Sequence, residues 1–253
     1  MPLSTTALLL VAGFLGGIAN TMAGGASLFT FPALLFAGLP PITANACNAM
    51  AVTSGNGAGF LTDIKVLPRP TWAFWFSMVI AVVGGGLGAL LLLATPEKTF
   101  TASVPLLIGL ATLIFAFSKA IQRTLSAWAG GGSEHVRLRM GLLVPIAVYS
   151  GYFGAGAGVV ILSILSATSA TELRRLNVVK NIFAFLCNLS AIAFFTWAGL
   201  IAWGPTLVMM LGTLAGGYTG IKLTHILPNH IVRAVIIICG TAMTLIYAWR
   251  YWL

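Results

Sequence analysis

Residues 3–61 contain no Asp, Glu, Lys or Arg, and the same absence recurs over 71–95, 100–118 and 140–171. A run of about 20 apolar residues crosses the hydrocarbon core of a bilayer, which is about 30 Å thick. Further runs at 176–221 and 231–249 are interrupted only by Lys180 and Arg233. Composition agrees: 59% hydrophobic and 7% charged residues leave no polar shell for a water-soluble globule. The expected fold is therefore an all-α polytopic membrane protein with almost nothing left over for a soluble domain. The segment from Met1 to Ala23 has no basic n-region and runs on into further apolar sequence, so it is expected to remain in the mature chain.

The chain also repeats itself. An offset of 132 places Asn45, Asn48, Asn56, Gly84, Gly85, Gly88 and Pro96 on Asn177, Lys180, Asn188, Gly216, Gly217, Gly220 and Pro228. Self-similarity of this kind marks two halves with a site between them. Pro, Gly and charge mark the breaks between spans at Phe60–Pro70, Thr95–Thr99, Thr171–Arg175, Trp197–Pro205 and Lys222–His230. The polar stretch Lys119–Arg139, with Gly130, Gly131, Gly132 and Ser133 at its centre, reads as a linker. The expected organisation is a first repeat over 1–121, a cytoplasmic linker over 122–138 and a second repeat over 139–253, together one transmembrane domain.

The first block of each half is unusual. Leu3–Phe36 is 34 residues long, about 51 Å as one helix, and it is interrupted near its middle by Gly24, Gly25, Ala26 and Ser27. The matching block, Met140–Ala167, is broken by Gly154, Gly156 and Gly158. Each is either one tilted span or a hairpin that returns to its own side. If both cross once, Lys65, Arg69, Lys119, Arg123, Arg137, Arg139 and Arg250 face Lys98, Arg174, Arg175, Lys222 and Arg233, with no bias. If both are hairpins, only Lys98 and Arg250 remain on the poorer side, as the positive-inside rule requires, with both termini non-cytoplasmic. A hairpin plus three full spans is an odd number of crossings, so the second half is then inverted relative to the first. Non-helical backbone at membrane depth belongs where it lines a cavity. Glycine there permits positive φ and exposes backbone N–H groups at half-helix N-termini, where the dipole favours an anion.

The polar residues of the next span point the same way. Asn45, Asn48 and Asn56 fall within roughly 80° of one another on a helix, and Asn177, Lys180 and Asn188 repeat the stripe. Asparagines alone are also read as interhelical glue. Lys180 argues for more, because an ammonium inside a span is costly unless it is paired or faces water. None of the four acids, Asp63, Glu97, Glu134 and Glu172, is an obvious partner. Glu172 comes nearest, about two turns away, and leaves open a Lys180 that snorkels to the membrane edge. The sharper reading makes an anionic substrate the partner. Asn181 lies on another face.

Other chemistries find little support. Cys47, Cys187 and Cys239 are scattered singly without C-x-x-C spacing, so neither a disulfide framework nor a metal site is expected. No H-E-x-x-H or G-x-S-x-G motif occurs, and His135, His225 and His230 lie in or beside loops. The glycines of the later spans match small-xxx-small helix packing rather than a phosphate loop. The net charge of +9 fits basic loops against anionic lipid and requires no nucleic acid. No catalytic residue and no cofactor is expected.

The chain resembles the sulfite exporter TauE/SafE-type permeases over nearly its whole length. The resemblance rests on the glycine-rich break Met22-Ala23-Gly24-Gly25-Ala26-Ser27 and its continuation to Leu39-Pro40-Pro41, and on Thr43-Ala44-Asn45-Ala46-Cys47-Asn48. It also rests on Leu176-Asn177-Val178-Val179-Lys180-Asn181 and on the Gly-x-x-x-Gly spans ending at Pro96 and Pro228. It implies a multi-pass inner-membrane transporter of sulfite, organosulfonates or related small anions. The expected binding residues are Asn45, Asn48, Asn177, Lys180, Gly24, Gly25, Ser27, Gly156 and Gly158. Asn56, Asn188, Arg174 and Arg175 are expected along the pathway. The partners expected are a small anion and the bilayer, with a homodimer left open. Alternating access between inverted halves is the expected mechanism. Two rival classes stay open, a membrane scaffold and a Cys-dependent sulfur carrier or intramembrane enzyme, as does proton-coupled uptake.

Overall fold

The computed structural model describes residues 1–128, 135–223 and 229–252, with the backbone alone described at residues 23, 58–64, 221–222 and 229–230. The glycine run 130–132, with His225 and Pro228, lies outside the described residues. Among those described the regular elements are eleven α-helices and a short 3-10 turn at Ile64–Val66. The first half holds α1 (Leu3–Ala23), α2 (Ser27–Phe36), α3 (Pro41–Asp63), α4 (Trp72–Ala94), α5 (Glu97–Ala116) and α6 (Ser118–Trp128). The second holds α7 (Val136–Tyr152), α8 (Ala157–Ala167), α9 (Leu173–Trp197), α10 (Trp203–Leu223) and α11 (Asn229–Trp252). The 132-residue offset reappears in the elements, carrying the first residue of α3, Pro41, onto Leu173 of α9 and the first of α5, Glu97, onto Asn229 of α11.

Among the described residues five helices are long and apolar enough to cross a membrane: α1, α4, α5, α9 and α11. The chain is a multi-pass membrane protein. By contrast α2 and α8 have 10 and 11 residues, so each is about 15–17 Å long and reaches only half-way.

These short helices exist because glycine ends the helix before them. Gly24 takes a left-handed φ of 80° and donates its N–H to the carbonyls of Ala19 and Asn20, which closes α1. The chain then turns back, since a Cβ on Gly16 would lie 2.8 Å from Thr30 Cγ2 of α2. Leu3–Phe36 is therefore two antiparallel arms rather than one tilted rod. The bend also falls later than the middle of the block, leaving arms of 21 and 10 residues. The second half bends at Phe153–Gly156, where Tyr149 Oη donates to Ala155 O at 2.7 Å across the turn.

Close helix packing follows from small residues. A Cβ on Gly13 would sit 2.6 Å from Met209 O, and one on Gly212 2.5 Å from Leu10 O, so α1 and α10 touch backbone to backbone. Gly88 of α4 meets α7 likewise, 2.6 Å from Tyr152 N. Without water to drive helices together, contact this close is what dispersion needs inside lipid. The outward faces carry the large apolar residues instead, as Trp75, Val79, Val82 and Leu90 do along α4.

The contacts cross between halves in a matched way. Helix α1 packs on α10 as α7 packs on α4, α3 on α10 as α9 on α4, and α2 on α11 as α8 on α5. The pairs α3/α9 and α5/α11 join elements that are equivalent at the 132-residue offset.

The polar stretch after α5 differs from a plain linker. Its residues up to Trp128 form α6, which has no fully buried residue, and α7 begins at Val136. The sequence Ser118–Trp128 places Ile121 and Leu125 on one face and Lys119 and Arg123 on others, the pattern of a helix at a membrane surface. Gln122 Nε2 donates to Ser166 Oγ at 3.1 Å and ties α6 to α8.

Candidate substrate site at the helix breaks

Helices α3 and α9 pack together, so the two polar stripes face a common space. Asn48, Asn56, Lys180 and Asn188 line one cavity of about 40 Å³, together with Ser27 and Gly158 from the two breaks. The first residues of α2 and α8 thus reach the stripe, and first-turn N–H groups lack carbonyl partners within their own helices. Residues 132 apart meet across the cavity: Asn48 with Lys180, and Asn56 with Asn188.

Hydrogen bonds hold the first stripe. Asn48 Nδ2 donates to Ser27 Oγ at 3.1 Å, and Thr30 Oγ1 donates to Asn48 Oδ1, which fixes α2 on α3. Asn20 Nδ2 donates to Asn56 Oδ1 at 3.0 Å. Asn20 also lines the cavity and is absent from the expected set, although an amide four residues before a glycine break is a readable signal.

Lys180 is held differently. Its side chain is 8% exposed, and among the described residues it has no ion pair and no hydrogen bond. Glu172 pairs instead with Arg175, Nε to Oε2 at 3.9 Å, on the exposed surface. That contact removes Glu172 as the partner of Lys180 and turns Arg175 away from the interior. An ammonium buried in this way loses hydration with no opposite charge beside it to offset the loss.

A wider cavity of about 530 Å³ adjoins the first, and Gly24, Gly158 and Lys180 line both. Its other cations are Lys119, Arg174 and Arg233, with Asn177 among its amides and Phe115 among its apolar walls. Lys119 and Arg233 were readable from the sequence only as loop charges. They meet here because α6 returns beside α8 and because Arg233 Nη2 reaches across to donate to Ala116 O at 2.9 Å.

Three of the expected binding residues, like Arg175 of the expected pathway, sit outside these cavities. Gly156 takes a φ of 78° as the N-cap of α8 and sets the start of that helix. Gly25 is crowded by Phe115 and Ile236, with a Cβ position 3.0 Å from Ile236 Cδ1. Asn45 is 2% exposed and donates its Nδ2 to Tyr152 O at 2.8 Å, the last residue of α7. It ties α3 to the second break. Removing it takes the donor from that part-buried carbonyl, at a cost of about 1–3 kcal/mol. Asn45→Ala is therefore expected to lower the melting temperature in detergent while leaving anion affinity nearly intact, measured by thermal unfolding and ligand titration on the same sample. A large affinity loss at unchanged stability would place Asn45 in the binding set.

Cys47 and Cys187 are packing residues. Both are fully buried, Cys47 Sγ accepts from Ala202 N at 3.3 Å, and Cys187 backbone lies against Gly85. No group of three or more His, Cys, Asp or Glu residues is placed to hold a metal among the described residues.

Spanning helices, two half-length helices and a cation-lined cavity running to a buried lysine are the parts of a membrane transporter. The model for the family described as sulfite exporter TauE/SafE matches residues 9–247. The chain belongs to that family. It is similar to a "Probable membrane transporter protein" of Haemophilus influenzae, 28% identical over 94% of this chain and 92% of the relative. It is similar also to "Probable membrane transporter protein ORF9" of Sinorhizobium sp, 25% identical over 94% and 90%. A third relative is "Probable membrane transporter protein YfcA" of Escherichia coli K12, 24% identical over 96% and 89%. No solved structure matches the chain.

Proposed function

We propose that the protein exports small sulfur-containing or organic anions, sulfite and organosulfonates among them, by alternating access around the cavity at the helix breaks. The observation that carries this reading is Lys180, buried without a carboxylate partner and lining both cavities. The small cavity has room for a few waters, so it takes a sulfonyl or carboxylate headgroup, while an organic remainder occupies the wider one. Asn48, Asn56, Asn188 and Ser27 complete the headgroup site, with Gly24 and Gly158 allowing close approach to backbone. Asn177 and Arg174 belong to the route from the basic side.

The halves, 1–121 and 139–253 joined by 122–138, are inverted repeats with both termini on the non-cytoplasmic face. The matched exchange of contacts between halves supports this, as does the agreement with the positive-inside rule that only the hairpin topology gives the loops. Rocking of one half against the other then exposes the site alternately. Export runs downhill without a coupling residue, because a negative-inside potential expels an anion with about 2.3 kcal/mol per charge per 100 mV.

Purified protein in liposomes, loaded in turn with sulfite, thiosulfate, sulfoacetate and plain carboxylates, tests the reading. Efflux of at least one sulfur-containing anion is expected, and it accelerates when the compartment facing the basic loops is made negative. Equal leakage from protein-free liposomes for every anion contradicts it. In the same liposomes, cysteines introduced at Ser4 and Lys119 are expected to label from opposite sides. Labelling from one side removes the inverted topology.

A further inference from the structure

A second basic cavity lies apart from the transport route. It measures about 190 Å³, is lined by Arg69, Arg139, Ser77, Ser169 and Thr171, and shares none of its described lining residues with the two cavities above. It sits where the N-terminal ends of α4, α7 and α9 converge, and helix N-termini favour anions. Phe74 and Ser77 of α4 form one of its walls.

The neighbouring residues on the same turns of α4 form a different surface. Trp75 and Met78, with Val79, Val82 and Val83, line a wholly apolar groove on the outer face of the helix. Trp75, Val79 and Val83 are each more than half exposed. In a spanning helix that face meets lipid, and Trp72 and Trp75 mark its interfacial end in the manner of an aromatic belt. A cationic, hydroxyl-bearing cavity and an apolar groove lined by adjacent residues of one helix match a phospholipid, headgroup to one and chain to the other.

The other half offers no such site. At the 132-residue offset Arg69, Arg139, Thr71, Ser77 and Ser169 correspond to Ile201, Ala7, Trp203, Met209 and Ala37. The equivalent corner, which lies on the opposite face in the inverted arrangement, is built without arginines. Basic pockets between spanning helices are a recurrent mode of anionic-headgroup recognition.

We infer that the Arg69–Arg139 cavity and the adjoining groove on α4 form a specific binding site for one anionic phospholipid at the basic end of the protein. The two arginines select the headgroup charge, and the α4 groove selects a lipid over a free anion.

The test uses the full chain in detergent, with thermal unfolding measured in dioleoylphosphatidylglycerol, dioleoylphosphatidylcholine or inorganic phosphate. Phosphatidylglycerol is expected to raise the midpoint by several degrees, and the other two to do little. Arg69 is exposed, so Arg69→Gln should fold and should lose the preference. Val79→Trp, which fills the groove, should reduce the shift with the arginines intact. A shift kept in Arg69→Gln overturns the headgroup assignment. A shift equal with inorganic phosphate, or unchanged in Val79→Trp, overturns the lipid. Equal shifts from both phospholipids overturn the selectivity for negative charge.

Discussion

Replacing Lys180 by asparagine is expected to abolish anion efflux from liposomes while leaving the protein folded. The ammonium has no ion-pair partner among the described residues, so its removal strands no opposing charge and relieves a desolvation cost. Most substitutions of buried charged residues destabilise because they orphan a partner; this one should leave the melting temperature equal or higher. The bound anion, by contrast, loses its cation in a water-poor site. Truncating one member of a buried charge pair costs about 2–5 kcal/mol, a loss in affinity of about 30-fold or more. Stability and transport should thus move in different directions.

The pseudo-symmetry supplies a companion experiment. Asn48 occupies the equivalent position and lines the same small cavity. Adding Asn48→Lys to Lys180→Asn returns a positive charge to the cavity from the opposite helix. Partial recovery of efflux in the double variant is expected, since the charge is restored but the bonds from Asn48 to Ser27 and Thr30 are lost. No recovery, with the double variant folded, shows that the charge acts only from α9.

The second large effect concerns folding. A Cβ on Gly216 would collide with the backbone of Phe14, and Gly212 and Gly13 are similarly enclosed. Here the neighbour is main chain and cannot rotate aside, so Gly216→Val forces α1 and α10 apart along their whole contact. Overpacking of a side-chain core costs about 1–3 kcal/mol, and a backbone clash should exceed that. Aggregation or loss of the monodisperse peak on size-exclusion chromatography is expected. Gly141→Ala is the matched control: nothing lies within 4 Å of the added Cβ, so it should elute as the wild type and melt at the same or a slightly higher temperature, since Ala suits a helix interior better than Gly by about 0.5–1 kcal/mol. A monodisperse, thermally unchanged Gly216→Val protein would contradict the packing account.

Much of this arrangement was legible in the residues. The offset that maps Asn48 onto Lys180 follows from similarity between segments, and it led to two residues that share a cavity in the folded chain. The missing acid partner of Lys180 was readable because the chain has only four acids. Glycines at 24, 154 and 156 could be read as breaks, and all three adopt positive φ. Partners across the fold were less readable. Asn45 lies on the same stripe as Asn48, yet it bonds the Tyr152 carbonyl 107 residues away, and helical phase cannot distinguish a side chain that faces a cavity from one that faces a neighbouring bend. Arg233 and Lys119 looked like solvated loop charges, because the α6–α8 and α5–α11 contacts that bring them to one cavity are long-range. Arg175 looked like a second pathway cation, but its rotation on α9 relative to Arg174 brings it to Glu172 instead. The chain's polar stretch concealed α6, whose amphipathic face emerges only at helical spacing.

Equilibrium binding of a labelled anion identified in the efflux screen, measured on purified wild-type and Lys180→Asn protein in detergent, is the most direct test of the site. Saturable binding of one anion per chain is expected in the wild type, with affinity weakened at least about 30-fold in the variant. Binding of undiminished affinity to folded Lys180→Asn protein would contradict the account.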